Sequence, residues 1–384
     1  MRAHLVAALW VAGGAYAAEA PAPPPKPSPG AAAASRPRAS FEALSAKAVE
    51  ARVAGRLEEA AGHYAKALGL RPAWGEGRLA LATVLFDLKR YPEARDHLQQ
   101  LTAAGEGGGE AWGLLGLAAS RLGDYDAALA ALGRARALEI ASPEMRSRVQ
   151  FETALVLNRT GQHDAAFDVL RAYASEGQDS PTVIVAFGLS MLRLRQMPDE
   201  VPPEKRPMVL LAGRGGYHMA RPRRTAVGRM ALEELVSRYP SQPNAHYALG
   251  TYIAPDDPDA AAEEFQKELR LDPDHPEALI QLAHLETRRG NAAAALPSAE
   301  RAVALVPDVP AGRLVLGRAL LDLERTSEAI AQLERAAALA PESAEVHFTL
   351  SRAYQRAGRT EDATREREEF LRLEKREPPA VKED

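Results

Sequence analysis

Cysteine is absent from the 384 residues, which excludes disulfides, thiolate nucleophiles, cysteine metal sites and a lipid-bearing cysteine. Aromatic residues are scarce too, at 5% of a chain that is 46% hydrophobic. A core so poor in rings is built of Leu, Ala and Val, which suits packed helices better than sheets of β-branched and aromatic side chains. Neither sign of charge dominates: 48 Lys and Arg stand against 52 Asp and Glu, a net of −4. That mild acidity argues against a nucleic-acid partner. H-E-x-x-H and G-x-S-x-G are missing, and "AGRGGY" at 212–217 has neither the spacing of a phosphate loop nor a strand before it. The histidines are scattered and the carboxylates fall on polar helical faces. No catalytic residue, cofactor or metal site is expected, and hence no enzyme.

What is present begins with an export signal. Met1 and Arg2 precede the apolar "LVAALWVAGGAYA", and Ala15-Tyr16-Ala17 is a small-x-small cleavage site, so 1–17 reads as a signal peptide. The apolar stretch is too short to span a bilayer comfortably. The chain is therefore expected to be exported, periplasmic or secreted, with no transmembrane span once the signal is removed. Residues 18–40, with "EAPAPPPKPSPGAAAASRPRAS" from Glu19 to Ser40, cannot bury a core and are expected to form an extended tether.

Beyond the tether the chain repeats. Trp112, Leu115, Gly116, Ala119, Gly123, Tyr125, Ala128, Leu132 and Ala135 recur as Leu279, Leu282, Ala283, Glu286, Gly290, Ala292, Ala295, Ala299 and Ala302. Leu316, Gly317, Leu320, Ala329, Leu333 and Ala336 follow, then His347, Leu350, Ser351, Tyr354, Gly358, Ala363 and Phe370. Pro273, Pro307 and Pro341 stand 34 residues apart. This pattern resembles the tetratricopeptide repeat, with its W-x2-L-G-x2-Y, A-x3-F and P signature at a period of 34. The resemblance implies an all-α, right-handed superhelix (α-solenoid) of about nine helix-turn-helix units. They lie near 41–74, 75–108, 109–142, 147–180, 209–241, 243–274, 276–309, 310–343 and 344–373.

The spacing has physical reasons. Gly116, Ala128 and Ala295 sit where helix axes approach closely, and alanine also has the highest helix propensity. Gly55, Gly123, Gly161, Gly290 and Gly358 fall between paired helices, where a left-handed residue is needed. The prolines end a second helix or begin the next unit. His246 and His347 occupy the slot of Trp112 and read as packed residues, not ligands.

The period fails in the middle. "TVIVAFGLSMLRLRQ" reads as one apolar helix over 181–196, but the prolines of "MPDEVPPEKRP" deny it a regular partner. Counting back from Pro240 puts Gly216, Met219 and Leu232 at repeat positions of a degenerate unit, with a long insertion within one unit as the alternative. The expected organisation is an amino-terminal array over 41–180, an orphan helix and Pro-rich break over 181–208 with the irregularity near 197–207, a carboxy-terminal array over 209–377, and a charged tail, 378–384. Arg193, Arg195, Lys205, Arg206, Arg214, Arg221, Arg223, Arg224 and Arg229 make the middle basic, either as a site for an anionic partner or as solvated surface.

The resemblance also implies that the first helix of each unit lines a concave groove where partners lie. Projected onto the carboxy-terminal units, that face selects Tyr217, Arg221, Tyr247, Thr251, His284, Arg288, Arg318, Phe348, Arg352 and Arg356. The amino-terminal set is Glu42, Ser45, Val49, Glu76, Leu79, Phe86, Glu110 and Leu117. The first set is cationic and aromatic, suited to an extended acidic protein or peptide segment. The bland alternative pairs these arginines with Glu277 and Glu345. The expected function is a non-enzymatic protein–protein interaction scaffold of the cell envelope. The alternative is an assembly or trafficking factor that binds an anionic envelope polymer or an outer-membrane component.

Overall fold

The computed structural model describes residues 29–175, 180–221 and 225–375, with side chains from Ser40 onward. The signal peptide, the first part of the tether, the tail 378–384, Arg223 and Arg224 lie outside the described residues. Every regular element among the described residues is an α-helix. The chain divides after Leu88 into two compact units.

The first unit holds α1 (Pro29–Val53), α2 (Leu57–Leu70) and α3 (Gly75–Asp87). Helix α1 starts inside the segment expected to be extended. The reason is its composition: after Pro29 the chain is rich in alanine, and it propagates a helix that Ala48 and Ala51 anchor by burial. Phe41 packs edge-on to Trp74 at 5.0 Å, beside the buried Tyr64.

The second unit begins with α4 (Tyr91–Ala103), α5 (Gly108–Arg121), α6 (Tyr125–Ala137), α7 (Pro143–Arg159) and α8 (His163–Ser175). Its middle holds α9 (Pro181–Met191), α10 (Arg206–Met219) and α11 (Ala226–Arg238). It ends with α12 (Ala245–Ile253), α13 (Pro258–Leu271), α14 (Pro276–Arg288), α15 (Ala292–Leu305), α16 (Pro310–Asp322), α17 (Thr326–Leu339), α18 (Ala344–Arg356) and α19 (Thr360–Glu374). Apart from α9, the helices fall one pair to each of the nine expected repeats.

Three recurring devices build the pairs. The first is close approach: a methyl added to Gly116 would lie 2.6 Å from Leu132, and one on Gly317 would lie 2.6 Å from Leu333. The second is the turn. Gly55, Gly123, Gly161, Gly290 and Gly358 all have positive φ, and Lys89 and Glu324 take the same conformation in two of the repeats that lack the glycine. The third is a tie across several repeat boundaries. Arg78 donates to the Pro72 carbonyl at 2.6 Å, His246 to Pro240 at 3.2 Å, Arg313 to Pro307 at 2.7 Å and His347 to Pro341 at 3.0 Å. The other ring nitrogens of His246 and His347 meet Glu264 at 2.6 Å and Glu366 at 2.7 Å, so both rings are engaged at each end.

The break is built differently from the expectation. The helix expected over 181–196 ends at Met191, and no helix follows until Arg206. It is also not an orphan. Arg193 has φ 52°, and Leu194 N–H bonds to the Leu189 carbonyl at 2.9 Å. Asp124 N–H bonds to Ala119 O in the same way after the left-handed Gly123, so α9 ends as a repeat's first helix does. Its partner is α10. A methyl on Gly188 would lie 2.0 Å from the Val209 carbonyl oxygen, and one on Gly213 would lie 1.9 Å from the Ile184 carbonyl oxygen. Backbone thus rests on backbone in both directions. The α10 helix in turn packs on α11 through Gly215, whose methyl would meet Leu232 at 2.4 Å. Gly215, and not Gly216, therefore takes the repeat's small-residue position, while Gly216 faces Met191 and Phe187 of α9.

Side chains hold the irregular segment down. Leu192, Met197 and Val201 are buried, Arg159 donates to the Arg195 carbonyl at 2.6 Å, and Asn244 donates to the Leu192 carbonyl at 3.3 Å. Arg193 joins Asp164 of α8 at 3.2 Å to Glu277 of α14 at 2.8 Å.

Candidate functional site

Helices α14, α16 and α18 are the first helices of three successive repeats, so residues at matching positions line up on one face. Between them lies a hollow of about 190 Å³ lined by His284, Arg288, Arg318 and Arg352, with Val315 and Leu321 as apolar wall and Thr349 and Asp322 as further polar groups. Arg318 is committed: it meets Glu345 at 2.8 Å and donates to the Thr349 hydroxyl at 3.3 Å. Arg288 and Arg352 are exposed and make no hydrogen bond or ion pair among the described residues. Burial lowers the pKa of His284 below the ordinary value, with the Arg318 and Arg288 guanidiniums adding to the effect and Glu345 opposing it. The imidazole is therefore neutral at neutral pH. Arg288 and Arg352 thus present two guanidinium forks with no partner among the described residues beside a neutral ring, a donor geometry that carboxylates can accept from in pairs.

The other groove candidates do not join this hollow. Tyr217 belongs to the core: its ring meets Phe187 edge-on at 5.9 Å and is buried. Arg221 lies over the Tyr217 ring at 4.5 Å and donates to its hydroxyl. Tyr247 stacks near His275 at 4.9 Å, and both Tyr247 and Thr251 line a different cavity, at the break. Phe348 is exposed and packs on Phe370 at 5.2 Å, while Arg356 donates to the Leu321 carbonyl at 2.6 Å. In the amino-terminal set Phe86 and Leu117 are buried, Val49 is exposed, and Glu110 accepts from Ala141 N–H at 2.7 Å. Of the basic middle, Arg193, Arg221 and Arg229 are engaged within the fold, the last meeting Glu233 at 2.8 Å.

Sequence reasoning did not select Thr349, which fixes Arg318, or Asp322. A polar residue beside an arginine one repeat away is the signal that would have found Thr349. Among the described residues no cluster of three or more His, Asp or Glu could hold a metal, and no helix is long and apolar enough to cross a membrane.

Comparison with known proteins gives one family. Two profiles described as Tetratricopeptide repeat match, one over 52–118 and 320–366, the other over 114–181 and 251–310, together more than half of the chain. No curated protein matches the sequence. Among solved structures, MamA 41-end from Desulfovibrio magneticus RS-1 is 25% identical over 38% of this chain and 84% of its own, with a TM-score of 0.36. MamA AMB-1 is 22% identical over 46% and 99%, with a TM-score of 0.37. YrrB, described as a TPR protein with an unusual peptide-binding site, is 19% identical over 39% and 77%, with a TM-score of 0.34. With its paired helices, left-handed turn slots and 34-residue phase, this chain belongs to the tetratricopeptide repeat family.

Proposed function

We propose that this chain is a non-enzymatic protein–protein interaction scaffold whose hollow between α14, α16 and α18 takes an extended acidic segment of a partner protein. The observation that carries the reading is the pair Arg288 and Arg352, unpaired among the described residues on either side of the already neutralised Arg318. Their spacing along successive first helices suits a strand-like segment presenting carboxylates in series. Each charge-assisted bond contributes about 1.5–3 kcal/mol, so two forks supply a large part of a micromolar affinity. Export to the periplasm or beyond, on the reading of 1–17 as a signal peptide, makes the partner a cell-envelope protein.

The test is capture from envelope extract with the full chain and an Arg288→Glu/Arg352→Glu variant side by side, together with anisotropy of a labelled hexaglutamate peptide. The variant is expected to lose the captured partner and to bind the peptide at least ~10-fold more weakly. Retention of both by the variant would remove the hollow from the function.

A further inference from the structure

The cavity at the break has its own chemistry, which begins with the buried Asn158 on α7. Its Nδ2 donates to the Ala186 carbonyl at 3.1 Å, and a carbonyl only accepts, so the orientation of the amide is fixed. The Oδ1 atom therefore faces the Ser190 hydroxyl at 2.9 Å and His163 Nδ1 at 3.3 Å. An amide oxygen cannot donate, so the network assigns the hydrogen to Nδ1 and leaves His163 Nε2 a bare acceptor. His163 is only 5% exposed, and Nε2 has no hydrogen-bond partner among the described residues. Its ring lines a cavity of about 240 Å³ together with Phe167, Met191, Met219 and Tyr247.

Size and charge narrow the occupant. The volume is below the ~300 Å³ at which small-molecule sites begin, so the cavity has room for a single side chain. Two aromatic and two thioether walls favour a ring. A cationic group would meet Arg193, which also lines the cavity, and a carboxylate would meet the Nε2 lone pair and the neighbouring Asp164 and Asp168.

We propose that this cavity is a socket for one neutral, donor-bearing aromatic side chain of a partner protein, a phenol or an indole, whose hydrogen is accepted by His163 Nε2. The socket is separate from the arginine hollow, and neither reading depends on the other.

The test uses the full chain with 13C-methyl methionine, followed by NMR during titration with p-cresol, p-methylanisole and toluene. p-Cresol is expected to shift the Met191 and Met219 methyl signals and to bind ~5-fold or more tightly than either compound that lacks the donor. His163→Phe keeps a ring in the wall and removes the acceptor, so it is expected to make the three probes equivalent. Arg288→Glu/Arg352→Glu is expected to leave p-cresol binding unchanged, which keeps this result apart from that of the acidic segment. Equal binding of the three probes to the unaltered chain, or no shift at Met191 and Met219, overturns the proposal even if His163→Phe fails to fold.

Discussion

Glu324 and Arg193 show how one backbone conformation is tolerated for different reasons. Glu324 has φ 62° at the turn where Gly290 and Gly358 serve the neighbouring repeats, and its side chain makes no hydrogen bond or ion pair among the described residues. A left-handed residue with a Cβ costs about 1–2 kcal/mol, so Glu324→Gly is expected to stabilise the chain by about 1 kcal/mol, read from denaturation midpoints. Arg193→Gly relieves the same strain but removes the bonds to Asp164 and Glu277, and is expected to destabilise by about 1 kcal/mol or more. His163 makes a second residue-scale point. Burial, with Arg193 and Arg195 nearby and Asp164 and Glu277 opposing, holds its pKa down to about 4. The unfolded chain binds this proton near pH 6.5 and the folded chain only near 4, so this stabilisation is complete above about pH 6.5 and is lost as pH falls through about 4. A histidine C2–H titration checks it: a midpoint for His163 above 6 would contradict the buried neutral ring.

At the scale of helices, the α9–α10 crossing is the least forgiving contact in the second unit. The two nearest atoms a new methyl would meet at Gly213 are backbone atoms of Ile184, which cannot rotate away. Gly213→Ala is therefore expected to destabilise by about 3 kcal/mol, with the loss of helix packing visible in near-ultraviolet dichroism. Gly133→Ala is the control: nothing lies within 4 Å of its added methyl on the exposed face of α6, and it is expected to gain about 0.5–1 kcal/mol. The crossing also marks what the sequence could and could not say. The 34-residue phase made the paired helices, the glycine turns and the shared face of His284, Arg288, Arg318 and Arg352 readable, because each depends on spacing alone. The Gly215 position was missed by one residue because repeat arithmetic assumes a constant loop, and the α9–α10 pairing was missed because it arises from glycines facing carbonyls across the break. The cavity at His163 was unreadable for the same reason: α8 is a second helix, which the repeat rule assigns to the opposite face from Tyr247.

In a stacked-repeat protein each pair contacts only its neighbours, and cooperativity passes along the array through interfaces. A Pro-rich interruption ought to be where that coupling fails. Here the second unit is compact from Lys89 onward and runs through the break. Three polar ties add to the buried cluster that runs from Val185 and Leu192 through Val209 to Tyr252 and Leu285: Arg193 joins α8 to α14, Asn244 holds the Leu192 carbonyl, and Arg159 holds the Arg195 carbonyl. None of them belongs to the repeat pattern, so the Arg193 and Arg159 ties can be removed without touching a repeat's own core, whereas Asn244 also bonds the buried His275 Nε2 at 2.9 Å. In the unaltered chain, hydrogen exchange in rising urea is expected to show α7–α9 and α12–α14 losing protection together. In an Arg193→Ala/Asn244→Ala variant the two groups are expected to lose protection at separate urea concentrations, because only the Arg159 bond and the apolar packing through α9 and α10 still link them. If the groups stay together in the variant, the Arg159 bond and the apolar packing through α9 and α10 carry the coupling, and the ion pairs of Arg193 serve only to hold the turn.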